Sequence, residues 1–196
     1  MNLDKTINYI VSGLERSGTS MLMQILFAGG VPMAYDHDSR PPDENNPMGY
    51  YELEGGKIIN SLMKRTFPLE EYKGQFIKIT AYGLKYLPLG EYKIIYSERN
   101  IEEILDSMEK MAKLEDKNRN ETKEVFLKLN TMIKRLILER QDTDVLFVNY
   151  GQIVKTPEEN MARIAGFLGV PDLDQSKMKS CIDEKLYRKR RESSVS

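Results

Sequence analysis

Two glycines five positions apart, Gly13 and Gly18, bracket the stretch Gly13-Leu14-Glu15-Arg16-Ser17-Gly18-Thr19-Ser20. A glycine-bounded loop that opens a helix turns backbone N–H groups toward an anion, and the helix dipole adds to the attraction. In loops that serve ATP or GTP cleavage, a lysine after the second glycine reaches the terminal phosphates. Here Thr19 and Ser20 follow Gly18 directly, and the cation, Arg16, lies inside the loop. The chemistry indicated is phosphate binding, with a different cation on whatever group lies beyond the phosphate.

Such a loop needs a strand before it and a helix after it. Residues 7–11, Ile-Asn-Tyr-Ile-Val, are a short β-prone run. From Thr19 the apolar residues Met21, Leu22, Ile25 and Leu26 recur at helical spacing, and Gly29-Gly30 ends the helix. Further strands are expected at 76–80, 92–96 and 145–148, the last apolar enough for burial on both faces. One helical face is marked by Ile101, Ile104, Leu105, Met108 and Ala112, another by Val125, Leu129, Met132 and Leu136. A fourth helix starts at Pro157, with a capping box in Thr156-Pro157-Glu158-Glu159, and ends at Gly169.

This alternation predicts an α/β fold: residues 1–196 as a single domain, P-loop-like, with a parallel sheet and helices on both faces. Ligands in such sheets bind beyond the carboxyl ends of the strands, and Gly13, Arg99 and Tyr150 all follow such ends. Residues 31–56 are a polar, Pro-rich and Gly-rich excursion, with turn chemistry at Asn46-Pro47-Met48-Gly49. An excursion of that length is expected to serve as an active-site loop.

Composition narrows the function. The net charge of -1 offers no bulk attraction to nucleic acid or to an anionic membrane, so neither is expected as a partner. One cysteine and one histidine cannot build an internal disulfide or a Cys/His metal site, and no metal is expected. No stretch approaches the roughly 18 apolar residues of a spanning helix. The short apolar run after Asp4 and Lys5 does not read as a secretory signal, and a cytoplasmic location is expected.

Arg16-Ser17-Gly18-Thr19-Ser20 resembles the 5′-phosphosulfate loop P-R-S-G-T-[ST] of sulfotransferases that use 3′-phosphoadenosine 5′-phosphosulfate (PAPS). Glu15 departs from that pattern, which usually has proline there. About 80 residues on, Arg99 after a strand and Ser107 eight positions later resemble the family's 3′-phosphate site. Arginine suits that role because its fork donates two parallel hydrogen bonds to a phosphate. Asn46-Pro47-Met48-Gly49-Tyr50-Tyr51-Glu52 is similar to the N-P-x-G-[YFW]-x-E segment of bacterial members. Val148-Asn149-Tyr150 through Pro157, Phe167 to Pro171, and Leu186-Tyr187-Arg188 resemble further family segments, so the likeness spans nearly the whole chain.

The resemblance implies sulfuryl transfer from PAPS to an acceptor hydroxyl by in-line displacement, with adenosine 3′,5′-bisphosphate (PAP) as product. It assigns Gly13, Arg16, Ser17, Gly18, Thr19, Ser20, Arg99, Ser107 and Arg188 to the nucleotide, Arg188 from a basic tail at 188–196. Catalytic candidates are Arg16, for charge on the leaving oxygen, and Lys78, a second cation. The base candidates are Glu52 and, as runner-up, His37, whose ordinary pKa suits proton transfer. Thr80 stands where the eukaryotic group has its histidine base. The acceptor, a small molecule or carbohydrate, would be selected by residues 31–56 and 113–120. Lipid-linked and protein-tyrosine acceptors stay open. Alternatives are a small P-loop nucleotide kinase and a non-catalytic nucleotide-binding relative.

Overall fold

The computed structural model describes residues 2–38, 41–44, 46–170 and 172–182. Four parallel strands form its sheet: β1 (Asn8–Gly13), β2 (Phe76–Lys78), β3 (Tyr92–Glu98) and β4 (Thr143–Asn149), in the order β2-β1-β3-β4. Ile10 sits opposite Ile77 on one side and Ile94 on the other. The register carries Gly13 of β1 alongside Ser97 of β3.

Alternation along the strands feeds two apolar cores. Tyr9, Val11, Phe76, Ile95 and Val148 face one core, closed by α1 (Thr19–Ala28), α6 (Pro157–Leu168) and α7 (Gln175–Ser180). Ile10, Ile77, Ile94 and Tyr96 face the other, closed by α2 (Ile58–Met63), α3 (Ile101–Ala112), α4 (Arg119–Glu139) and a 3-10 turn at Ala81–Tyr86. The short α5 (Tyr150–Lys155) follows β4 directly. The sheet is thus covered on both faces, as the alternation predicts. Because α1 leaves β1 on one face and α3 leaves β3 on the other, a crevice opens between the carboxyl ends of these two central strands.

Four local expectations need correction. β4 is an edge strand: Val145, Leu146 and Phe147 are only partly buried, because β3 is its single neighbour. In α4 the buried residues are Ile133 and Ile137, while Val125 and Met132 are exposed, so the packed face is rotated from the one the spacing suggests. α4 also begins at Arg119, which shortens the loop after α3 to residues 113–118. The capping box at Thr156 does not form: Thr156 Oγ1 donates to the Gln152 carbonyl instead, closing α5 before α6 begins. No helix of the described residues is long and apolar enough to cross a membrane.

Candidate functional site

The loop between β1 and α1 is shaped by three residues with positive φ: Gly13 at 150°, Arg16 at 64° and Gly18 at 103°. Gly18 must be glycine for a second reason. A Cβ there would lie 2.3 Å from Cδ2 of Tyr150, the first residue of α5. Ser17 N–H donates to the Leu14 carbonyl at 3.1 Å and closes the loop. No side chain caps the N-terminus of α1, and its first turn holds no acid. Its leading N–H groups therefore face the crevice with the positive end of the helix dipole.

β3 clamps the same loop. Ser97 Oγ donates to the Ser17 carbonyl at 2.7 Å, and Arg99 Nη1 donates to the Arg16 carbonyl at 3.2 Å. Arg99 is held from two further sides. Its Nε lies 3.0 Å from Oε2 of the buried Glu103, one helical turn on, and its guanidinium stacks 4.5 Å from the Tyr150 ring centroid. Arg16 reaches the other way, with its Nε donating to Ser107 Oγ at 3.1 Å. The loop after β1 and the helix after β3 thus form one unit.

β2 supplies the opposite wall. Lys78 is buried, at 5% exposure, and its Nζ donates to Ser20 Oγ at 3.1 Å and to the Tyr50 carbonyl at 2.6 Å. It also pairs with Oε1 of Glu52 at 2.8 Å. Glu52 comes from the 31–56 excursion, which is tied down around its turn. Gln24 of α1 donates to Asn46 Oδ1 and to the Gly49 carbonyl, and the Tyr50 hydroxyl donates to Asp43. The expected turn at Asn46–Gly49 forms, closed by Gly49 N–H on the Asn46 carbonyl at 3.0 Å.

These elements surround a cleft of about 330 Å³. Arg16, Gly18, Thr19, Ser20, Glu52, Lys78, Arg99 and Ser107 all line it. Gly13 and Ser17 lie beneath, inside the loop: both are buried, and a Cβ on Gly13 would meet Ser17 Oγ at 2.4 Å. His37 is not part of the lining; it is exposed and packs against Tyr35, with ring centroids 4.4 Å apart. Glu15 lines the cleft from an exposed position, and so does Lys110 of α3. Arg188 and the 188–196 segment lie outside the described residues.

Sequence reasoning missed Tyr150 as the ring that supports both Gly18 and Arg99, and Glu103 as the anchor of Arg99. The four-residue spacing from Arg99 to Glu103 was an available signal. Lys110, three residues after Ser107, was another.

The donor set suits a nucleotide carrying two separate anionic groups. Arg16, Lys78, Arg99 and Lys110 line the cleft, and the Ser17 hydroxyl is buried beneath it with no hydrogen-bond partner among the described residues.

The sequence profile of the family described as Sulfotransferase domain matches residues 7–195. The fold is similar to that of mouse sulfotransferase SULT7A1, solved in complex with PAP, at 19% identity and a TM-score of 0.53. That likeness covers 92% of this chain and 64% of the mouse one, so the chain spans under two thirds of that relative's length. The sulfotransferase domain from the Synechococcus PCC 7002 olefin synthase is similar at 15% identity and a TM-score of 0.51, covering 94% of this chain and 83% of that one. At these identities the likeness concerns the fold. No curated relative matches the chain.

Proposed function

Because the chain belongs to the sulfotransferase domain family, we propose that it is a PAPS-dependent sulfotransferase acting on an acceptor hydroxyl. One observation carries the reading. The crevice between β1 and β3 brings Arg16, Arg99 and Ser107 together on one side of a cleft whose other wall holds Lys78 and Glu52.

When bound, PAPS supplies the sulfuryl group, which passes in line to the acceptor oxygen as the bisphosphate departs. The backbone of Ser17 to Thr19 and the hydroxyls of Thr19 and Ser20 would hold the 5′-phosphate. Arg99 and Ser107 would hold the 3′-phosphate, with Arg99 fixed in advance by Glu103 and Tyr150. Arg16 would stabilise charge on the leaving oxygen, and Lys78 would add a second cation from the opposite wall. Such fixed charges contribute most where water is scarce, and Lys78 is nearly closed off from solvent.

Glu52 is the base this arrangement supports. Its carboxylate lines the cleft, beside the Lys78 ammonium that neighbours Ser20 of the loop. It would take the acceptor proton as the hydroxyl attacks. The acceptor is a small molecule or a carbohydrate, received between the 31–56 excursion and the Lys78 wall. With one cysteine in the chain, a cytoplasmic setting suits the protein.

The test is calorimetry with PAP against ATP plus magnesium. Preferential binding of PAP is expected, and at 100 times the dissociation constant it would add about 2.7 kcal/mol of stability. No binding, or tighter binding of ATP with magnesium, would overturn the proposal.

A further inference from the structure

We propose that Lys110 binds the 3′-phosphate of the nucleotide and sets the preference for a nucleotide phosphorylated at that position. The inference rests on the sulfotransferase reading above.

Lys110 lines the same cleft as Arg16, Arg99 and Ser107. It stands three residues after Ser107 in α3, and residues at that spacing are neighbours on one helix face. Ser107 Oγ is already placed by Arg16 Nε at 3.1 Å, so the anion site has a fixed corner on this face. A lysine three residues further on the same face lines the same cleft and carries a compact charge on a flexible stem, suited to a phosphate.

The balance of charge in the cleft points the same way. Lys78 faces Glu52 at 2.8 Å, and Arg99 faces Glu103 at 3.0 Å. Each pair is close to neutral. Arg16 and Lys110 line the cleft with no ion pair among the described residues. A nucleotide with phosphates at both the 5′ and 3′ positions carries several negative charges. Glu15 lines the cleft as well and offsets part of the charge of Arg16 and Lys110, so the net attraction depends on both of these cations being present. Arg16 belongs to the loop at the 5′ end, and Lys110 extends the face that Ser107 marks.

Lys110 also occupies the last turn of α3, where a cation favours the helix dipole. That contribution is the same with or without ligand, so a comparison of nucleotides separates the two roles.

The experiment is calorimetry of PAP and of adenosine 5′-monophosphate with the full chain, as wild type, Lys110→Met and Lys110→Arg. The Met variant should weaken PAP by about tenfold, the size of one charge-assisted contact, and leave the monophosphate within about twofold. The Arg variant should keep most of the PAP affinity. Equal losses for the two nucleotides, or an unchanged PAP affinity in Lys110→Met, would overturn the assignment while leaving the sulfotransferase reading standing. Wild-type protein that does not bind PAP overturns that reading and the assignment together. The melting temperature of ligand-free Lys110→Met checks that the fold is intact.

Discussion

Arg16 Nε donates to Ser107 Oγ at 3.1 Å, joining residues 91 positions apart in the chain. The bond means that the cation of the β1 loop and the hydroxyl of α3 cannot be set independently. Arg16→Ala should therefore do two things. It should lower the turnover of sulfuryl transfer by about 10²–10³, the usual effect of deleting one donor to developing charge. It should also loosen PAP, because Ser107 loses its positioning partner. Ser107→Ala should weaken PAP with a much smaller effect on turnover. Steady-state kinetics paired with calorimetry separates the two.

Arg99→Ala is expected to cost stability as well as affinity. The side chains of Arg99 and Glu103 are 9% and 2% exposed, so the variant takes the guanidinium away from a buried carboxylate. Losing one partner of such a pair costs about 3–5 kcal/mol. The double variant Arg99→Ala/Glu103→Gln should regain much of that stability without regaining PAP binding. Urea unfolding and calorimetry on both variants check this.

Glu52→Gln should keep the cleft wall in place, since the amide oxygen still accepts from Lys78, yet remove the base. Turnover should fall by about 10²–10⁴, the usual share of general base catalysis. PAP should bind at least as tightly, since a negative charge leaves the cleft wall. His37→Ala should leave turnover unaltered, since His37 is exposed and outside the cleft lining. Loss of turnover in His37→Ala and not in Glu52→Gln would reverse the assignment.

The α3–α4 junction should respond to acid. Hydrogen bonds from Lys123, and then Arg119, hold the Glu102 carboxyl at about 2. The folded value lies below the ordinary carboxylate value of 4.5, so its stabilising contribution is complete above that pH and is lost as pH falls toward about 2. Carboxyl resonances followed by NMR should show Glu102 titrating near 2 in the wild type. In Lys123→Ala the midpoint should move up, while Arg119 retains its bonds to Glu102, Asp106 and Glu109.

Much of this site is legible in the sequence, for particular reasons. The spacing of Gly13 and Gly18 after an apolar run fixes a strand, a loop and a helix, because few other residues tolerate those backbone angles. Arg99 and Ser107 follow from position after a strand and two helical turns. The partnership of Lys78 with Glu52 is not legible, since they are 26 positions apart with a helix and two 3-10 turns between them. Nor is the edge position of β4: an apolar run records hydrophobicity, not how many neighbours a strand has. Thr156 has the residue types of a cap, yet its hydroxyl is taken by α5, a helix of six residues too short to leave a periodic signal.

The two apolar cores lie on opposite faces of the strands between them, and the crevice opens where those strands end. A nucleotide gripped by the start of α1 and by α3 would act as a rivet between the layers. Opening of either layer would then require releasing the ligand, so backbone amide exchange in α1 and α3 should slow together when PAP binds. The nucleotide of the reaction would also decide how cooperatively the protein holds its shape.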